Sequence, residues 1–280
     1  MTDLLLIREI VLLLGLILAS YFDIRKRIIP DKLNYALAGF GIILNFFDFN
    51  WIQFIFPVFV FAFFAVIYYL GKIGGGDVKL FTATAFLLPI YNNQFFLIPA
   101  LFYSALISVI FLSVYYVLKY MSKGIDWNEN KKGIQQAVVL GLFLVVYAGV
   151  FYFWGKLNSS MVILFFVPLL FGLVFMAFQQ GIKKHFFLKQ VQVSALEEDE
   201  VIAKEFLPIS VSKNFNFSVK GIVTEEDKQK LKELNILEVP IYRDLPPFAP
   251  FFLMGCILAF GFPSLLNDLF FFSFFAFRIV

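Results

Sequence analysis

The chain has 280 residues, of which 61% are hydrophobic, 20% aromatic and 15% charged, with 41 phenylalanines. A soluble chain carries about 25% charged residues, so this composition reads as an all-α polytopic membrane protein. A net charge of +3 gives no case for nucleic-acid binding. One cysteine, Cys256, excludes an internal disulfide and a CxxC zinc site, and one histidine, His185, argues against a His-rich centre, so no metal and no cofactor is expected.

A spanning helix needs roughly 20 mostly apolar residues. In chain order, such runs fall at residues 4–22, 33–47, 52–70, 78–90, 95–120, 134–154, 161–178 and 248–266, about eight in all. The fourth is short, and an apolar tail at 269–277 suits the interface rather than a crossing. The first run is preceded by Arg8-Glu9 and ends at Ser20-Tyr21-Phe22-Asp23, which is poor signal-peptide chemistry, so it reads as a retained helix. Basic residues alternate between connections. Arg25, Lys26, Arg27 and Lys32 follow the first run, none follows the second, Lys72 follows the third, and Lys119, Lys123, Lys131 and Lys132 follow the fifth. This pattern puts the N-terminus outside and the 23–32 loop, the 72–79 stretch and the 181–244 segment in the cytoplasm.

Residues 181–244 form the one sizeable polar segment. Partial alternation at 188–194 and 215–223 suggests strands. Thr224 followed by Glu225, Glu226 and Asp227 suggests a helix start. The expected organisation is a transmembrane catalytic region at 1–180, a small cytoplasmic α/β insertion at 181–245, and a last helix with an apolar tail at 246–280.

The stretch Lys72-Ile73-Gly74-Gly75-Gly76-Asp77-Val78-Lys79 stands out between two apolar runs. An aspartate there is costly unless it meets protein, water or charge, and three glycines weaken any helix they enter. A phosphate-cradling reading of Gly74–Gly76 is weak, since no GK[ST] follows and the adjacent carboxylate would repel phosphate. Asp23 ends the first run and Asp77 opens the fourth, with two spans between them, so both face the same side whatever the absolute orientation. Two carboxylates brought close share a proton. One can then serve as general base on water while the other hydrogen-bonds a scissile carbonyl. Glycine beside Asp77 would give an extended peptide room to approach.

The glycine stretch resembles the GxGD-x-K signature of type IV prepilin peptidases and archaeal preflagellin peptidases. The segment Asp23-Ile24-Arg25-Lys26-Arg27-Ile28-Ile29-Pro30-Asp31 resembles the D-x-[RK]-x-[RK]-x-I-P-[DN] motif of the same family. The resemblance covers residues 4–89 best. It implies an intramembrane-type aspartic protease with Asp23 and Asp77 as catalytic dyad, and Gly74, Gly75, Gly76 and Lys79 at the substrate. Lys79 would pair with an acid, orient Asp77 or snorkel to the interface. Asp31 falls where the family accepts Asp or Asn, which argues against a catalytic role. The implied partners are prepilin or preflagellin precursors, cleaved at a short basic leader on the cytoplasmic side of a multi-pass cell-membrane protein, and a homo-oligomer is compatible with this. The bacterial enzymes carry an N-terminal domain with paired cysteines linked to methylation. No counterpart precedes the first helix here, so cleavage without N-methylation is expected. Archaeal flagellin-processing members have six spans, and the extra pair at 134–178 departs from that pattern.

Two other readings compete. A proton- or cation-coupled transporter could use the same two aspartates, but its site would be expected near the membrane midplane. A pilus-assembly platform docking through 181–244 would leave both motifs without a purpose.

Overall fold

The computed structural model describes residues 2–153, 165–196, 200–207, 223, 225–234 and 236–263. Its contacts divide the chain into two units, Met1–Pro89 with Lys184–Pro247, and Ile90–Lys183 with Phe248–Val280.

The first unit opens with four helices, α1 (Thr2–Lys26), α2 (Asp31–Phe47), α3 (Ile52–Tyr69) and α4 (Gly75–Leu87). One stripe of α1 is buried: Arg8, Leu12, Gly15, Leu16, Ala19, Ser20 and Asp23. Steps of three and four keep them on one helical face. The stripe on α2 is Asn34, Leu37, Gly41, Leu44 and Asn45. Small residues set the approach of these helices. A Cβ on Gly15 would lie 2.5 Å from a Leu37 methyl, and one on Gly41 would lie 2.6 Å from the backbone of Phe86 and Leu87 in α4. Helix α4 therefore packs against α2 with its backbone exposed to contact, and α3 covers another side of it.

The same unit holds the insertion. Strands β3 (Leu188–Gln192), β4 (Val201–Ile202) and β5 (Glu238–Tyr242) form an antiparallel sheet ordered β3-β5-β4. Its register pairs Val191 with Val239 and Ile202 with Ile241. A short helix, Glu225–Glu233, contributes Leu231 to a core with Val191, Val193, Ile202, Val239 and Ile241. The expected strand at 188–194 and the expected helix are therefore present. The expected strand at 215–223 lies outside the described residues except Val223, whose N–H donates to the Glu200 carbonyl. The central strand, β5, escapes sequence reading because Pro240 sits in its middle, where proline normally argues against a central strand.

The second unit starts with a hairpin, β1 (Ile90–Tyr91) and β2 (Gln94–Phe95), where a plain loop is expected. Asn92 and Asn93 both hold positive φ, 47° and 60°, as a two-residue type I′ turn requires. Among the described residues four helices follow in this unit, which we label α5 (Leu97–Met121), α6 (Trp127–Phe153), α7 (Val167–Ile182) and, after the insertion, α9 (Ala249–Gly261), with the insertion's helix as α8. Gly255 packs directly on α5, where a Cβ would meet Ser104 Oγ at 2.0 Å and the Ala100 carbonyl at 2.4 Å. Helix α6 begins seven residues before the expected start at 134. Asp126 caps it, its Oδ1 accepting from the N–H groups of Asn128 and Glu129 at 2.9 and 3.2 Å, and hydropathy cannot register such a polar first turn.

All eight expected apolar runs contain a helix, but among the described residues four are long and apolar enough to cross a membrane: Leu4–Lys26, Ile52–Tyr69, Leu97–Met121 and Trp127–Phe153. Helix α4, at 13 residues, is about 20 Å long against a core of about 30 Å.

Candidate active site

Asp23 stands in the last turn of α1 and is 7% exposed. Just beyond it the chain turns, with Arg27 in the left-handed region at φ 57° and its N–H bonded to the Asp23 carbonyl at 3.0 Å. The neighbouring cations make contacts of their own. Arg25 lies over the Tyr21 ring at 5.0 Å, Lys26 over Phe22 at 5.8 Å, and Arg27 donates to the Leu245 carbonyl at the end of the insertion at 3.0 Å.

Asp77 is in the first turn of α4, where Gly74 is the N-cap with an ordinary extended φ of −76° and ψ of 147°. The Asp77 N–H bonds the Gly74 carbonyl at 3.1 Å. Helix α4 is outside the four spans, and there burial pushes the Asp77 carboxyl up to about 7. The negative charge of Asp23 pushes it the same way, while a hydrogen bond from the Gly74 backbone opposes both. The charge of Asp23 therefore acts on the Asp77 carboxyl.

The glycines are explained by space rather than by φ. A Cβ on Gly74 would lie 3.1 Å from Asp77 Oδ2, one on Gly75 would meet the Tyr68 ring at 3.4 Å, and one on Gly76 would meet Ile29 Cβ at 3.3 Å. The room beside Asp77 is taken by the chain's own atoms: the carboxylate, α3 and the turn after α1. Lys79 Nζ bonds Asp31 Oδ1 at 2.6 Å and lies 5.8 Å from the Tyr35 ring centre. Of the three roles expected for Lys79, pairing with an acid is the one seen. Asp31 thereby fastens the start of α2 to α4.

Sequence reasoning missed two groups of residues. Asn34, 1% exposed, donates from Nδ2 to the Gly76 carbonyl at 3.3 Å, while its Oδ1 and the Ser20 hydroxyl are buried with no hydrogen-bond partner. At the other end of the same helices, Arg8 is 3% exposed and donates to Asn45 Oδ1, the Leu87 carbonyl and Asp48 Oδ1 at 2.8, 2.8 and 2.9 Å. Asn45 in turn donates to the Phe86 carbonyl at 3.0 Å. The last carbonyls of α4, orphans of any helix end, are closed by this cluster. The signal available was the helical spacing of Arg8, Ser20 and Asp23 on one stripe.

Among the described residues no group of three or more His, Cys, Asp or Glu could hold a metal ion. Cys256 is fully buried in α9 as a packing residue.

A model of the type IV leader peptidase family matches residues 10–117, a stretch containing both aspartate motifs. Two relatives are described as prepilin peptidase EppA. That of Methanothermobacter thermautotrophicus is 38% identical over 92 residues, covering 30% of this chain and 24% of the relative. That of Methanocaldococcus jannaschii is 34% identical over 124 residues, covering 43% of this chain and 35% of the relative. The matched stretches thus span well under half of either relative's length. No solved structure matches the chain.

Proposed function

We propose that the chain, whose residues 10–117 match a model of the type IV leader peptidase family, is a membrane aspartic endopeptidase. Its substrates are prepilin or preflagellin precursors, its cut removes their short basic leader on the cytoplasmic side, and it transfers no methyl group. The observation that carries this reading is the coupling of Asp23 and Asp77, from two separate motifs, in one helical unit.

In the proposed reaction one dyad carboxylate takes a proton from water as the water attacks the scissile carbonyl. The protonated partner donates to the carbonyl oxygen, and the proton then passes to the leaving amine. The two aspartates titrate as a unit, so the working state is the singly protonated pair. Asp31 and Lys79 hold α2 to α4 and keep the two motifs in register. The transporter reading gains nothing from this arrangement: both aspartates stand at helix ends, and Arg8 is closed in by its own partners at the opposite end of α1.

The test is co-expression with an archaeal prepilin or preflagellin and a gel-shift assay for leader removal. Asp23→Asn and Asp77→Asn should each abolish processing; cleavage by both variants would overturn the assignment.

A further inference from the structure

Helix α4 starts where the turn after α1 and the first turn of α2 converge. Ile29 packs against Gly76, Asp31 pairs with Lys79, and Asn34 bonds the Gly76 carbonyl. That carbonyl belongs to the peptide unit whose N–H is on Asp77. A peptide unit is rigid and planar, so a hydrogen bond to its oxygen helps to hold the plane on which the Asp77 N and Cα lie.

The same asparagine leaves half of its amide unused. Asn34 Oδ1 is buried with no partner, and so is Ser20 Oγ. Leaving a buried polar atom unpaired is costly, and native proteins keep few such atoms. These two occupy one neighbourhood. Helices α1 and α2 are consecutive and antiparallel, and Gly15 faces Leu37. Counting five residues along α1 and three back along α2 brings Ser20 and Asn34 to within about 3 Å of the same level, less than one helical turn. Ser20 also shares the α1 face of Asp23, three residues on. An acceptor on α2 and a hydroxyl on α1 are therefore buried without partners at about one level of the helix pair, on the α1 stripe that also carries Asp23.

We propose that Asn34 is a positioning residue for Asp77, holding it through the Gly76 carbonyl, with Ser20 completing the polar seat from α1. This inference rests on the leader-peptidase reading above. Asn34 acts through Gly76 and touches no reacting atom. Losing it should lower kcat with little change in KM, and should also loosen the packing that keeps water from Asp77.

The experiment uses the full chain in membranes with a prepilin-type precursor, and measures kcat, KM and the pH profile for Asn34→Ala, Asn34→Gln and Ser20→Ala. Asn34→Ala should lower kcat on the order of 10–100-fold and move the alkaline limb of the profile to lower pH. Asn34→Gln, which keeps the amide donor, should recover part of the rate, and Ser20→Ala should show the smaller loss. If Asn34→Ala fails to accumulate, Asn34→Leu, which is close in size and has neither donor nor charge, replaces it. A variant with lowered yield but wild-type kcat and pH profile per folded molecule would overturn the proposal, as would wild-type behaviour throughout. Asp23→Asn and Asp77→Asn run alongside: if both still cleave, it is the leader-peptidase reading that has failed, and if they do not while Asn34→Ala is normal, only this inference has.

Discussion

The two ends of the first unit bury the same kinds of side chain and treat them in opposite ways. At the Arg8 end, a guanidinium, an asparagine and two helix-end carbonyls satisfy one another, with Asp48 as counter-charge and Gln53 Oε1 as the one acceptor left over. At the aspartate end, two carboxylates of like charge are brought together, and a hydroxyl and an amide oxygen beside them are left without partners. One arrangement gives its buried polar groups partners, and the other holds a like-charge conflict. Natural sequences concentrate such local conflicts where function requires them, so the contrast supports the proposal that the aspartate end is the working one and the Arg8 end its fastening.

The strongest way to break this contrast is to neutralise the dyad. Asp23→Asn or Asp77→Asn should cost on the order of 10²–10⁴-fold in processing rate, the range supplied by positioned acid–base groups, while the protein still accumulates in the membrane. Asp31→Asn, which removes only a partly exposed pair with Lys79, should keep most of the activity. A gel shift of co-expressed precursor reads all three.

Arg8→Ala should do the reverse. It strands Asn45, Asp48 and the Leu87 carbonyl, a loss of roughly 3 kcal/mol, seen as a lower unfolding temperature in detergent. Per folded molecule the pH profile should stay where it was. A profile that moved with Arg8 would mean that the two ends are not separate in function.

The pH dependence of stability sharpens the comparison further. Burial and the Asp23 charge raise Asp77 from 3.8 to about 7, so between those values the native state binds more protons than the unfolded chain. Stability is therefore fully present below about pH 4 and falls as pH rises through about 7. Asp77→Asn has no proton to lose and should flatten that fall in denaturation curves taken across the range, and Arg8→Ala should leave its slope in place.

Much of the working end was legible in the sequence because motifs are local. Asp23 through Asp31 and Gly74 through Lys79 are each contiguous, so each motif can be read without knowing the fold. The fastening end was not legible. Arg8 finds its partners 37, 40 and 79 residues away, and in sequence it is only a charge flanking an apolar run. Asn34 was hidden for a similar reason: its meaning lies in a bond to a backbone carbonyl, and any residue type could supply that carbonyl. Strand β5 was masked by Pro240 and the start of α6 by its polar first turn, both cases in which pairing or capping overrides composition.

The subtlest test concerns Gly76, where a sequence reading and a structural reading disagree about purpose. If glycine is there to admit a substrate backbone, Gly76→Ala should raise KM and leave the fold intact. If it is there because Ile29 occupies the space, the added methyl meets Ile29 Cβ at 3.3 Å, and Ile29 must give by a few tenths of an ångström. Such a shift costs about 1 kcal/mol or less where a neighbour can move, and up to about 3 where it cannot. The expected outcome is a small drop in unfolding temperature with KM unchanged. In a double-mutant cycle with Ile29→Ala, which removes the Cγ1 atom 3.7 Å from the added carbon, Gly76→Ala should cost less stability than it does beside the native Ile29. A KM effect that survives in the double variant would instead return the glycine to the substrate.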